Sequence, residues 1–290
     1  MVNGLHRHFC LLPFAFCLLI SAAAQPQRIV STAPSITEML YALGLGDRVA
    51  GVTTFCHYPP EAAKKPKIGN YLRPDLETII ALRPGLVIME RTGVRQAERL
   101  PSLKLNVLEV DDGTIPGIYE SIQRIGAAAG VPERAAALCA QIRAGLDQIR
   151  GRLAQLPRRR ILFVVGHTPG RLEDLIVAGR GAYLDQVMEI AGAANIFRDT
   201  LAAYAKVSVE QVLARNPEVI IDMGEMAQTS GVTEEQKRAV VALWNRYPML
   251  AAVKQRRVFA VASDIFVVPG PRVVEAARAF AEMAHPEVKF

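Results

Sequence analysis

Cysteine is scarce in this chain: four are present, and only Cys56 and Cys139 lie beyond residue 24. A single pair does not make a disulfide scaffold. Cys56 falls in a loop and Cys139 in a helix, so two free thiols are expected. Histidine is as thin, with only His57, His167 and His285 beyond residue 24. A bare zinc or manganese site needs three or four clustered ligands, and no His-rich loop supplies them. The phosphate loop, the G-x-S-x-G elbow and the dinucleotide fingerprint are all missing. Cys56 and His57 are adjacent, so their side chains tend to diverge, and no third group orients them. The chain is therefore read as a non-enzyme, with an exported hydrolase as the weaker alternative. Basic residues exceed acidic ones, 34 to 28. They are scattered rather than banded, and without a helix-turn-helix, zinc-finger or aromatic RNA signature they argue against nucleic-acid binding.

Long apolar runs are missing too. Phe9 to Ile20 is shorter than the about 20 residues of a membrane helix. Arg7 before it and Ser21-Ala-Ala-Ala24 after it complete a secretory signal, with cleavage expected near Ala24. Phe16 stands where a lipobox needs a small residue, so lipidation at Cys17 is not expected. Export to the periplasm as a soluble protein follows. The remaining length suits two lobes of ordinary size.

What the chain does contain is a long internal repeat. Arg73 to Met89 is matched by Lys206 to Asp222. In register, Leu76/Val209, Glu77/Glu210, Ile79/Val212, Ala81/Ala214 and Pro84/Pro217 correspond at a constant offset, 210 − 77 = 133 and 217 − 84 = 133. Each copy begins a short helix at a Glu, breaks it at Pro and runs into an apolar strand. The separation is too large for a solenoid and implies two similar lobes.

The elements around the repeat support this. In the first lobe, strands are expected at 28–32, 49–53, 86–89 and 107–110, and helices at 35–44 and 115–129, with another between 89 and 107. Ser35-Ile-Thr-Glu38 has the spacing of a capping box. In the second, strands are expected at 161–165, 175–178, 219–221 and 258–261, and helices at 183–191 and 271–284. Strands alternating with helices predict mostly parallel sheets. From Pro132 to about Leu156 no breaker occurs, and Leu138, Ile142, Leu146, Ile149 and Leu153 form one stripe. About 24 residues at 1.5 Å each reach roughly 36 Å. The organisation is a signal peptide (1–24), an N-terminal lobe (25–131), a connecting helix (132–156) and a C-terminal lobe (157–290). The fold class is α/β: two similar lobes on one long rigid helix, with a ligand cleft between them and small closing motions.

Ile29-Val-Ser-Thr-Ala-Pro-Ser-Ile-Thr-Glu38, Tyr58-Pro-Pro-Glu61, Ala81-Leu-Arg-Pro-Gly-Leu-Val-Ile88, Asn195-Ile-Phe197 and Val207-Ser-Val-Glu-Gln-Val-Leu-Ala214 together carry a resemblance. The chain resembles the substrate-binding proteins of ABC importers built on a single helical backbone. That group serves cobalamin, iron siderophores and haem, and the likeness is strongest to its cobalamin-binding branch. The resemblance implies a monomeric carrier of a large metal-chelate molecule, cobalamin or another corrinoid. Such a carrier delivers to an ABC permease dimer at the inner membrane and has no cofactor of its own. A ferric siderophore, met by Arg73, Arg91 and Arg171, or haem is the alternative ligand.

The resemblance also implies that Glu77 and Glu210 dock onto permease arginines. Two equivalent anions suit a two-fold partner; helix capping is the other explanation for their recurrence. Ligands of open α/β lobes bind at the carboxyl ends of strands. The candidate binding residues there are Phe55, His57, Tyr71, His167, Tyr204 and Asp264, with Tyr71 and Tyr204 each six residues before the paired glutamates, 77 − 71 = 6 and 210 − 204 = 6. Tyrosine gives a macrocycle both a flat surface and an edge hydrogen bond. His57 or His167 offers an axial contact to a bound metal, or a plain hydrogen bond.

Overall fold

The computed structural model describes residues 28–70, 72–91, 104–224 and 232–290. The signal segment, Tyr71 and the helix expected before residue 107 lie outside them. In the N-terminal lobe, β1 (Ile29–Ser31), β2 (Val49–Gly51), β3 (Leu86–Glu90) and β4 (Val107–Val110) form a parallel sheet ordered β2-β1-β3-β4. The β1 strand is wholly buried, and β3 as far as Met89. Continuous apolar runs of this kind belong to parallel strands covered on both faces. The helices are α1 (Pro34–Ala42), the single turn α2 (Pro60–Ala63), α3 (Leu76–Ala81) and α4 (Ile115–Ala129).

The linking helix, α5 (Pro132–Leu153), starts at a first-turn proline and spans about 33 Å for its length. Its buried stripe is Ala135, Cys139, Ile142, Leu146, Ile149 and Leu153. Leu138 is only partly covered, so Cys139 takes the stripe position that the sequence assigned to Leu138.

The C-terminal lobe contains β5 (Arg159–Gly166), β6 (Leu175–Ala178), α6 (Tyr183–Ile190), β7 (Ala193–Asn195), β8 (Tyr204–Val207), α7 (Val209–Arg215) and β9 (Val219–Asp222). It closes with α8 (Glu234–Trp244), α9 (Ala251–Lys254), β10 (Val258–Ala260) and α10 (Val273–Ala284). The sheet runs β10-β9-β5-β6-β8, with β7 also paired to β5. β10, β9, β5 and β7 are mutually parallel, whereas β6 is antiparallel to both β5 and β8.

The duplication extends beyond the recognised stretch. By order and pairing, β1-α1-β2 corresponds to β5-α6-β7, α3-β3 to α7-β9, and β4-α4 to β10-α10. Asp75 and Ser208 are both side-chain N-caps, 208 − 75 = 133. Past each helix the chain turns left-handed, at Arg83 (φ 46°) and Asn216 (φ 42°), 216 − 83 = 133. The antiparallel pair β6 and β8 has no counterpart among the described residues of the first lobe. Sequence reading placed Tyr204 in a loop, but it begins β8. This strand is short and lies at the sheet edge, so it offered little periodicity.

Two further differences have physical causes. Ser35 does not cap α1: the N-cap is Ala33, without a side-chain bond, and Glu38 points away to the other lobe. Nor is α5 a bare strut. It packs on α4 from one lobe and on α6 and α10 from the other, and one apolar core runs continuously from Ile29 through Ile142 to Phe280. Cys56 and Cys139 are buried free thiols. No described helix is long and apolar enough to cross a membrane.

The approach of α4 to α5 depends on Gly126, where a Cβ would stand 2.4 Å from Ala135 Cβ. Gly126→Val is therefore expected to cost about 1–3 kcal/mol through overpacking, seen as a lower midpoint in thermal unfolding. An unchanged midpoint would contradict the close crossing.

Candidate functional site

The loops that follow the parallel strands of the two sheets face each other, and an ion cluster crosses between them. Arg272 caps the start of α10, and its Nε donates to Glu38 Oε2 at 3.0 Å while Nη2 donates to Glu38 Oε1. Nη1 donates to Asp264 Oδ1 at 3.0 Å. The Tyr58 ring lies under the guanidinium, 3.9 Å from centroid to Cζ, which is close cation–π geometry. Glu38 belongs to α1 of the first lobe; Arg272 and Asp264 belong to the second. Asp264 is presented by a 3-10 turn, Asp264–Phe266. Phe266 anchors that turn against Phe163 and Phe280, with ring centroids at 5.8 and 5.4 Å.

Glu38 is 3% exposed. Burial pushes its pKa up to about 7, although the Arg272 hydrogen bonds and charge pull it down. A cavity of about 580 Å³ lies beside the cluster, lined by Glu38, Tyr41, Tyr58, Gln141, Gly145 and Arg272 among others. A second link between the lobes is the Ile115 N–H, at the start of α4, donating to Gln186 Oε1 on α6 at 2.9 Å.

The first lobe contributes an acid pair that the sequence reading did not single out. Ser35, after β1, donates from Oγ to Oε1 of Glu90, the last residue of β3, at 2.8 Å. Asp112, just past β4, is 5% exposed. Burial raises its pKa, the neighbouring Glu90 charge raises it further, and the Ser35 hydroxyl opposes both. From the second lobe, Tyr204 and Tyr183 both feel the Asp112 charge. Each phenol is held above its ordinary range, chiefly by burial. A visible signal did exist: a carboxylate ending an otherwise apolar strand, and Asp111-Asp112 ending the next.

Tyr58 stands at this floor, and further exposed apolar side chains lie on the loops and strand ends of both lobes. Phe55, Tyr58 and Tyr204 are 51%, 43% and 47% exposed, and Leu72 and Leu201 more so. A rim of this composition suits a ligand with broad apolar surface. Of the sequence candidates, Phe55, His57 and Tyr204 are exposed, Asp264 is half-buried in the ion cluster, and Tyr71 lies outside the described residues. His167 sits differently. Its side chain is only 2% exposed, with Nε2 3.5 Å from Asp222 Oδ2, and Nδ1 is 2.9 Å from the Thr168 carbonyl. Trp244 Nε1 donates to the same Asp222 oxygen at 2.7 Å. Burial disfavours protonated His167, but the nearby Asp222 carboxylate prevails and raises its pKa. Both residues line a separate cavity of about 190 Å³ inside the second lobe, with Leu243 and Val261. His57 and His167 are therefore not brought together. No group of three or more metal-ligating side chains occurs among the described residues. Glu77 and Glu210 are exposed on the first turns of α3 and α7.

An acid held above its unfolded value binds its proton more tightly in the folded state. The stability Glu38 contributes is thus full below its ordinary value of 4.5 and is lost as pH rises to about 7. The difference is worth about 3 kcal/mol. The thermal midpoint is expected to fall between about pH 5 and pH 8, with a shallower slope in Glu38→Gln. An identical slope in that variant would contradict the assignment.

Comparisons with known proteins agree with this architecture. The family described as periplasmic binding protein matches residues 29–265. The vitamin B12-binding protein of Vibrio parahaemolyticus is 30% identical over 267 residues, 91% of this chain and 92% of the relative. The crystal structure of the periplasmic vitamin B12 binding protein of Vibrio cholerae superposes with a TM-score of 0.76 at 26% identity, covering 90% of this chain and 98% of the other. A periplasmic heme-binding protein from Roseiflexus superposes at 0.73 with 27% identity, covering 89% and 99%. With two lobes, one linking helix and a family match through most of its length, the chain belongs to the periplasmic binding protein family.

Proposed function

We propose that this protein captures cobalamin or a related corrinoid between its lobes and hands it to an ABC import permease. The observation that carries the ligand class is end-to-end similarity to a vitamin B12-binding protein, joined to the exposed aromatic rim of Phe55, Tyr58 and Tyr204. A macrocycle offers two flat faces to such a rim and polar groups to the cleft floor. The haem reading draws on the Roseiflexus likeness. It is disfavoured by charge: at the floor, Arg272 is already engaged by Glu38 and Asp264, which leaves it poorly placed to meet the carboxylates of haem or an anionic siderophore.

Docking onto the permease is assigned to Glu77 and Glu210. They occupy equivalent positions on α3 and α7, each exposed beside an apolar neighbour, Ile80 or Leu213. Paired anions on look-alike lobes match a partner with its own two-fold axis, and they fix orientation as well as attraction.

Calorimetric titration with cyanocobalamin, haem and a ferric hydroxamate tests the ligand. Cyanocobalamin is expected to bind with Kd below about 10 μM and more tightly than the other two; no binding in that range overturns the corrinoid assignment. For docking, the Glu77→Arg/Glu210→Arg variant is expected to abolish uptake by permease-containing vesicles, each lost contact costing about 2–5 kcal/mol where desolvated, while ligand affinity stays at the wild-type value. Normal uptake, or a large affinity loss, would refute it.

A further inference from the structure

Ser35, Glu90 and Asp112 come from the first turn of α1 just after β1, the end of β3 and the loop after β4. These strands are consecutive in the sheet order β2-β1-β3-β4. The three side chains therefore stand side by side at the carboxyl edge, where open α/β sheets receive ligands. The buried Ser35 hydroxyl holds Glu90 Oε1 at 2.8 Å, while Glu90 itself is only half-buried. Asp112 Oδ2 is buried and has no hydrogen-bond partner among the described residues. A carboxyl oxygen left in that condition is unfavourable until a partner reaches it, and even with one proton held on Asp112 the pair keeps more acceptor sites than donors.

No Lys or Arg among the described residues lies within ion-pair distance of either carboxyl. Arg272 is taken by Glu38 and Asp264, and Arg91 pairs with Glu109 at the surface. Among the described residues the wall is therefore rich in acceptors and carries no compensating cation. We propose that Ser35, Glu90 and Asp112 form a ligand subsite for N–H donors, so that the cleft accepts an edge carrying neutral carboxamides and rejects one carrying carboxylates. This rests on reading the cleft as the ligand site and adds the chemistry of the ligand edge it selects. Each carboxamide N–H2 supplies the donors that these oxygens lack. A carboxylate brings like charge into a partly desolvated place.

The test titrates cyanocobalamin and its monocarboxylic acids, each with one peripheral amide hydrolysed, against the wild type and Glu90→Gln/Asp112→Asn. At least one monoacid is expected to bind the wild type about tenfold or more weakly than cyanocobalamin, and the double variant is expected to bring that difference within about threefold. Glu90→Gln alone, at the less buried position, serves if the double variant does not fold, and should reduce the same penalty. Monoacids that bind the wild type as well as cyanocobalamin does, or a penalty that survives both variants, overturn the subsite. If cyanocobalamin fails to bind at all, the corrinoid reading falls, and the subsite is tested with haem against its bis-amide. Tighter binding of the bis-amide supports it. Equal or weaker binding, or binding of neither, overturns it.

Discussion

One guanidinium ties the two halves of this protein together at the cleft. Arg272 meets Glu38 of the first lobe and Asp264 of the second while lying on the Tyr58 ring. A buried pair of this kind is weak evidence for net stability, because desolvation offsets the attraction. Its value is geometric. The planar fork of arginine satisfies two carboxylates in fixed directions, which a lysine could not reproduce. Behind it, α5 packs on α4, α6 and α10, and the apolar core passes through it without a break. The separation of the lobes is thus set by side-chain packing along a helix, with the ion cluster fixing their relative orientation at the cleft floor.

The departures from duplication matter as much as the duplication. Seven elements of each lobe correspond, down to the capping side chains Asp75 and Ser208 and the left-handed turns after them. Among the described residues, the second lobe alone adds antiparallel strands, β6 and β8, and β8 begins with Tyr204 at the cleft rim. The first lobe alone supplies acids at the ends of adjacent strands. The result is a cleft to which the first lobe brings acceptors together with Phe55 and Tyr58 and the second brings Tyr204, floored by a cation already paired within the protein.

Much of this was legible from the amino-acid order because it is local. The repeat, the caps, the long stripe of α5 and the alternation of strands and helices all recur at short spacing. What was hidden depends on distant partners. Glu38 matched a capping-box spacing, yet its partner lies 234 residues away. No local pattern distinguishes that carboxylate from an N-terminal cap. His167 follows a strand, as a ligand-facing residue would. Only the fold reveals the Asp222 and Trp244 side chains that enclose it. Glu90 and Asp112 were passed over because each looks like an ordinary strand end until the sheet order makes them neighbours.

The central claim is that the lobes stand at a fixed spacing set by α5 and Arg272. Spin labels placed at positions 77 and 210, with the native thiols Cys56 and Cys139 buried, allow that spacing to be measured by pulsed electron resonance with and without saturating cyanocobalamin. The account predicts one narrow distance distribution that shifts by no more than about 2 Å on ligand addition. A broad distribution in the free protein, or a hinge closure well beyond that shift, would contradict it.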